Sequence, residues 1–130
     1  MSNWLGLDYG ARKIGLAIGD LETKIASPFK ILVNGPKFES EIKAICQQEN
    51  IAKVVIGLPQ GMQGNKSEQY EEAINFGKKL HQTLGLEVIF QDEKLTSTYA
   101  QKLLQGTKAK GNDDAVAAML ILQGYFDKLK

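Results

Sequence analysis

The segment WLGLDYGARKIGLAI, residues 4–18, decides the fold of this 130-residue chain. Its two short apolar runs, residues 4–9 and 14–18, flank a short polar loop, a pattern typical of a β-hairpin with a slightly long connection. Residues 25–33 follow as a third extended stretch. Because Pro28 cannot donate to a sheet ladder, we expect this third strand to lie at an edge of the sheet.

The chain after this hairpin alternates between helix-like and strand-like patterns. Residues 52–58 contain the run Val54–Ile56, which is apolar on both faces, as in a buried strand of a parallel sheet. Residues 57–64 form a glycine-rich loop expected to shape the rim of a groove. An antiparallel meander followed by β-α-β crossovers predicts an α/β fold, with a mixed sheet flanked by helices. The predicted helices cover residues 37–48, 70–84, 96–105 and 113–129, and the last predicted strand covers residues 86–91.

Composition bounds the class of protein. The chain has 16 Lys and Arg against 15 Asp and Glu, a formal net charge of +1, and its length favours a single domain over residues 1–130. Cys46 is the single cysteine, which excludes an intramolecular disulfide and a cysteine-based zinc cluster. The N-terminus lacks a signal-peptide pattern, and no apolar run approaches the roughly 20 residues that cross a membrane, so we expect a cytoplasmic protein with no membrane partner.

Asp8 is the first candidate for chemistry. On an extended strand Gly6, Asp8 and Gly10 share one face, and Leu7 points to the other. A carboxylate between two glycines has open space around it, into which a ligand or another backbone can approach. The alternative interpretation is that Asp8 only opens the hairpin turn, where Asp is common.

Two further acidic pairs lie at predicted element boundaries. Asp92 and Glu93 follow the strand over residues 86–91, and functional groups of open α/β sheets gather outside the carboxyl ends of parallel strands. Asp113 and Asp114 begin a helix so apolar that it should be buried. Each pair also has a simpler interpretation, a solvated loop for the first and helix capping for the second.

Convergence of Asp8, Glu93 and Asp114 at one end of the sheet is therefore a hypothesis. Three carboxylates without His or Cys partners suit Mg²⁺ or Mn²⁺ better than zinc. Two such ions about 3.5–4 Å apart can activate a water and stabilise the leaving oxygen in phosphodiester hydrolysis. A bound cation would also offset the repulsion between neighbouring carboxylates.

Four motifs in order resemble a known family. Residues 8–17, DYGARKIGLA, are similar to the opening signature of the YqgF family of Holliday junction resolvases and pre-16S ribosomal RNA nucleases. Residues 54–59 with Gly64 resemble its second motif, residues 92–97 its third and residues 114–123 its last. The resemblance covers nearly the whole chain and implies a ribonuclease-H-like fold, a five-stranded sheet of order 3-2-1-4-5 and a metal-dependent nuclease site.

The resemblance also implies roles for single residues. It makes Asp8, Glu93 and Asp114 the catalytic, metal-binding carboxylates of a two-metal-ion nuclease that takes Mg²⁺ or Mn²⁺. Asp113 falls where the family usually has an apolar residue, which favours a helix-start charge over a metal ligand at this position.

The basic residues depart from the family pattern in three places. Lys13 and Lys94 stand where the family most often has Arg, and Asn112 stands where it often has Lys. Lysine keeps the charge but lacks the fork with which Arg binds phosphate. We predict that Lys13, Lys94, Lys108 and Lys110 hold the substrate backbone, since a local basic site beside carboxylates suits nucleic acid even in a chain of near-zero net charge. The simpler interpretation of the lysine-bearing stretch over residues 94–112 is a solvated loop.

The leading expectation is thus a hydrolase that cleaves phosphodiester bonds of structured RNA and trims an end of pre-16S ribosomal RNA, as a monomer or weak homodimer. A DNA Holliday junction resolvase is an alternative that requires a dimer to cut two strands symmetrically. A catalytically silent, RNA-binding ribosome-assembly factor is another. A nucleotide-binding domain of the actin and sugar-kinase type also has an Asp-x-Gly loop, but such proteins pair two domains and this chain supplies one.

Overall fold

The computed structural model describes residues 2–58, 68–92 and 113–129. The described elements, in chain order, are β1 (Asn3–Asp8), β2 (Lys13–Asp20), β3 (Ile25–Val33), α1 (Phe38–Gln48), β4 (Ile51–Leu58), α2 (Glu68–Leu84), β5 (Glu87–Asp92) and α3 (Asp113–Leu129). The predicted helix over residues 96–105 and most of the predicted glycine-rich loop lie outside the described residues.

The five strands form one mixed sheet of order β3-β2-β1-β4-β5. The pairs β1–β2 and β2–β3 are antiparallel, and the pairs β1–β4 and β4–β5 are parallel. Both the order implied by the family resemblance and the edge position predicted for β3 are confirmed. Pro28 pairs with Ala17 beside a register shift in the β2–β3 ladder, a place where a missing N–H is tolerated.

Helices α1 and α2 cover one face of the sheet, the α1/α2 face. The alternating residues Leu5 and Leu7 of β1 point to this face and are fully buried. They pack in one cluster with Ile42 and Cys46 of α1 and with Leu80 of α2. Within residues 2–58, 68–92 and 113–129 this is the larger of two hydrophobic clusters, and most of its side chains are large and apolar.

Helix α3 covers the opposite face, the α3 face. Its residues Ile121, Leu122 and Phe126 are fully buried and pack with Trp4 and Val55 of the sheet. This burial explains why α3 is apolar over most of its surface, as predicted. No helix in the described part of the chain combines the length and apolarity that a membrane span needs.

Several predicted boundaries shift by one or two residues, and two of them bear on the site. Strand β2 continues to Asp20, two residues beyond its predicted end, because the β1–β2 pairing extends to Asn3↔Asp20. Asp92, predicted to follow the fifth strand, is instead the last residue of β5 and pairs with Leu58 of β4. Since pairing rather than side-chain pattern ends a strand, such shifts of one or two residues are not visible in the sequence.

Candidate active site

Asp8 ends β1 at the centre of the sheet. Its neighbours in the flanking strands are both glycines, Gly15 of β2 and Gly57 of β4. Because Leu7 points into the α1/α2 core, the side chain of Asp8 lies on the α3 face, as predicted. Asp8 is half-buried.

The first turn of α3 packs directly on Gly15. A Cβ atom added at Gly15 would lie 2.0 Å from the backbone oxygen of Asp114 and 2.9 Å from the backbone nitrogen of Ala115. The helix backbone therefore occupies the space that any side chain at Gly15 would fill. Since Gly15 is the direct sheet partner of Asp8, the fold brings Asp114 to the strand next to Asp8, on the same face of the sheet.

The rest of α3 keeps the same close approach to the sheet. A Cβ at Gly6 would lie 2.8 Å from the backbone oxygen of Ala118, and one at Gly19 would lie 2.3 Å from the ring of Phe126. Three strand glycines thus let the helix lie against the sheet over its whole length. This packing determines where the backbone of Asp114 lies relative to the sheet.

The third predicted carboxylate, Glu93, lies outside the described residues, one position after the end of β5. The parallel strands β1, β4 and β5 have Asp8, Leu58 and Asp92 at their carboxyl ends, so these ends share one edge of the sheet. Across residues 2–58, 68–92 and 113–129, no group of three or more His, Cys, Asp or Glu side chains is arranged to hold a metal ion. Two of the three predicted ligands, Asp8 and Asp114, are therefore among the described residues. Asp8 ends β1, and Asp114 is in the first turn of α3, which packs on the neighbouring strand β2.

Lys13 is the one predicted substrate-binding lysine among the described residues; Lys94, Lys108 and Lys110 lie outside them. It is the first residue of β2 and is exposed. Because it precedes Gly15 by two residues, it lies on the same face as Asp8.

The chemistry of the donors fits a hard divalent cation. Asp8 and Asp114 offer carboxylate oxygens, the ligands that Mg²⁺ and Mn²⁺ prefer. The soft and nitrogen donors of the described chain lie elsewhere: Cys46 is buried in the α1/α2 core, where burial raises the pKa of its thiol to about 11. His81 is on α2, with Nδ1 2.7 Å from the backbone oxygen of Leu86. Cys46 is thus a buried core residue on the face of the sheet opposite Asp8.

Two residues near Asp8 were missed by the sequence analysis. Arg12, exposed in the loop between β1 and β2, directly precedes Lys13. Asn34, which follows β3, donates through Nδ2 to the backbone oxygen of Gly10 at 2.9 Å. The sequence around Asn34 indicates only a chain break, and no local pattern connects it to a loop 24 residues earlier.

Comparison with solved structures shows which fold this chain has. The chain is similar to RuvC of T. thermophilus, solved in complex with Holliday junction substrate, with a TM-score of 0.65, 12% identity, and 99% of this chain and 96% of that chain covered. It is also similar to the Holliday junction resolvase of fowlpox virus, with a TM-score of 0.59, 14% identity, and coverage of 98% and 99%. At these identities the likeness shows the fold, which is ribonuclease-H-like.

Residues 2–128 match the family RuvX, described as "Holliday junction resolvase". A protein of Sulfurihydrogenibium sp. named "Putative pre-16S rRNA nuclease" is 37% identical over 134 residues, which cover 99% of this chain and 92% of that protein. A protein of the same name from Caldanaerobacter subterraneus subsp. tengcongensis is 38% identical over 135 residues, covering 97% and 96%. The chain belongs to the RuvX family.

Proposed function

We propose that this protein is a metal-dependent nuclease that hydrolyses phosphodiester bonds and trims an end of pre-16S ribosomal RNA in the cytoplasm. The observation that carries the proposal is the packing of the Asp114 backbone on Gly15, the sheet partner of Asp8. The names of the relatives support the RNA substrate. The whole chain, residues 1–130, acts as one nuclease domain.

In this proposal Asp8 and Asp114 hold Mg²⁺ or Mn²⁺ together with Glu93, in the two-metal-ion manner predicted from the sequence. Cations bound there would neutralise charge on the reacting phosphate and favour ionisation of the attacking water. The protein's own contribution is to keep the carboxylates together. Like charges held close raise each other's energy, and the buried face of α3 would hold Asp114 in place against that repulsion.

Basic residues complete the site. Lys13 lies on the same face of the sheet as Asp8 and is exposed to solvent, so its ammonium group can reach a phosphate of the substrate. We assign Lys94, Lys108 and Lys110 the same role. Such contacts position the nucleic-acid backbone without reading its sequence, which suits an enzyme that recognises the structure of an RNA end.

The family description favours one alternative substrate, a four-way DNA junction. Symmetric cleavage of a junction requires two active sites related by a twofold axis, and hence a stable dimer. The RNA-trimming function requires one site, so we propose that the protein works as a monomer or weak homodimer.

The test is cleavage by the purified chain, with Mg²⁺ or Mn²⁺, of a fragment carrying an end of pre-16S RNA and of a four-way DNA junction. We expect cleavage of the RNA, and a loss of at least about 100-fold in Asp8→Asn and in Asp114→Asn, because residues that merely support a metal ligand already cost 10–100-fold. The matched control is Asp20→Asn, at the other end of β2, where the side chain accepts a hydrogen bond from the Glu22 N–H at 2.8 Å.

The outcomes separate the candidates. Full activity of Asp8→Asn would overturn the assignment of the site. Preferential cleavage of the junction by a dimer would favour the resolvase. Tight RNA binding without cleavage at any metal concentration would favour a silent assembly factor.

A further inference from the structure

Asn34 connects the end of β3 to the loop that follows Asp8, the β1–β2 loop (residues 9–12). Its backbone N–H donates to the backbone oxygen of Arg12 at 2.8 Å. Its side-chain Nδ2 donates to the backbone oxygen of Gly10 at 2.9 Å. One residue thus holds both the beginning and the end of this loop.

Positive charge lies within and directly after the β1–β2 loop, which itself follows Asp8 in the chain. Arg12 within the loop and Lys13 directly after it are both exposed. The turn is tight, since a Cβ at Gly10 would lie 2.5 Å from the backbone oxygen of Lys13. Because the backbones of Gly10 and Lys13 are in contact, a hydrogen bond that fixes Gly10 also restricts where Arg12 and Lys13 can lie.

Asn34 is itself held from both sides. It follows the nine-residue strand β3, which pairs with β2. On its other side the Phe38 N–H donates to the backbone oxygen of Gly35 at 3.1 Å, and the Phe38 side chain is only 3% exposed in the α1/α2 core. Asn34 therefore lies between two well-packed elements, the paired strand β3 and the buried start of α1.

We propose that Asn34 is a positioning residue for substrate binding, which holds the β1–β2 loop so that Arg12 and Lys13 contact the phosphate backbone of the nucleic acid beside Asp8. This inference rests on the proposed nuclease function. The guanidinium of Arg12 is the stronger of the two phosphate ligands, because its fork donates two parallel hydrogen bonds. A loop that must be ordered on binding weakens affinity, so loss of the anchor acts on substrate binding more than on the chemical step.

The variant that tests this is Asn34→Ala, which removes the side-chain bond to Gly10 and keeps the backbone bond to Arg12. We expect KM for the pre-16S fragment, and Kd for the same fragment measured by fluorescence anisotropy, to rise about three- to tenfold, the factor that one net hydrogen bond contributes. The value of kcat should stay within about twofold.

Asn3→Ala is the matched control. Asn3 makes the same kind of bond at the opposite end of the sheet, where its Nδ2 donates to the backbone oxygen of Glu49 at 2.9 Å. This variant should lower Tm about as much as Asn34→Ala and leave KM and Kd unchanged.

A second comparison separates positioning from general destabilisation. In an Arg12→Ala background, Asn34→Ala should raise Kd by less than twofold, because the main group it positions is already gone. An equal rise in both backgrounds, or no rise in the parent chain, would overturn the inference. If the parent chain does not cleave the RNA, the proposed function fails, while the Kd comparison still decides the role of Asn34.

Discussion

The two faces of the sheet are packed in opposite ways. On the α1/α2 face the strands contribute large side chains, and the glycine is in the helix: a Cβ at Gly77 of α2 would lie 2.5 Å from the ring of Phe90. On the α3 face the glycines are in the strands, and α3 fills the space above them, with its backbone at Gly15 and with the ring of Phe126 at Gly19. At Gly15 the nearest atom to an added Cβ is a backbone oxygen, 2.0 Å away.

Because of this difference, we expect substitutions on the α1/α2 face to change mainly stability and substitutions on the α3 face to change mainly activity. A ring such as that of Phe90 can move when its neighbour grows, whereas a helix backbone moves only with everything attached to it. The α1/α2 face therefore tolerates change at a modest cost in the free energy of unfolding. The α3 face carries Asp114 on a helix whose position depends on strand glycines, so change there should alter the geometry of the site.

Gly15→Ala should have the largest effect of any substitution outside the carboxylates. The added methyl group displaces the first turn of α3, and with it Asp114, from Asp8. Misplacement of a catalytic group by about 1 Å costs on the order of 100-fold in rate, so we expect that loss in kcat/KM for RNA cleavage by the purified, folded variant.

Gly19→Ala is its control, since it also overpacks the α3 face but at the opposite end of the helix, against Phe126. It should destabilise the protein by about 1–3 kcal/mol, as overpacking does, with kcat/KM within a few-fold of the parent. Equal losses of activity in the two glycine variants would show that the Gly15 contact has no special role.

Gln123→Ala tests the polar attachment of α3 to the sheet edge. Its Oε1 accepts from the Ala26 N–H and its Nε2 donates to the backbone oxygen of Lys24, both at 2.9 Å. Loss of two such bonds should lower the free energy of unfolding by about 1–2 kcal/mol in urea titration. Activity should not change, because Gln123 lies nine residues, more than two helical turns, after Asp114. A large loss of activity would mean that the whole helix tilts.

Gly77→Ala should have the smallest effect. The Phe90 ring must rotate to make room for the added methyl group, which lowers the free energy of unfolding. Alanine also has a higher helix propensity than glycine, which raises it by about 1 kcal/mol. The net change should therefore be within about 1 kcal/mol. Activity should equal that of the parent chain. A loss of activity comparable to that of Gly15→Ala would contradict the division between the two faces.

Much of this arrangement could be predicted from the sequence. The alternation of residues around Asp8 predicted that its side chain lies on the face of the sheet opposite Leu7. Pro28 predicted the edge position of β3, and the apolar pattern after Asp114 predicted a buried helix. These predictions depend on periodicity, which is a local property of the chain. The strand order came from the resemblance to a family.

The remaining features depend on contacts between distant segments. Gly15 belongs to a recognisable motif, but the sequence does not show why a glycine is required there. The reason is that the backbone of α3 lies 2.0 Å from the position that a Cβ atom would take. The bond from Asn34 to Gly10 depends on β3 returning beside β2. No spacing in the sequence indicates either contact.

The central claim is that Asp8 and Asp114 act as one site, and a double-mutant cycle tests it most directly. The measurement is kcat/KM for RNA cleavage by the parent chain, Asp8→Asn, Asp114→Asn and the double variant, under identical metal concentrations. If the two carboxylates work as a unit, the double variant should lose about as much activity as the worse single variant, because the second substitution removes nothing further. Losses that multiply would show that the two residues act independently and would contradict the claim.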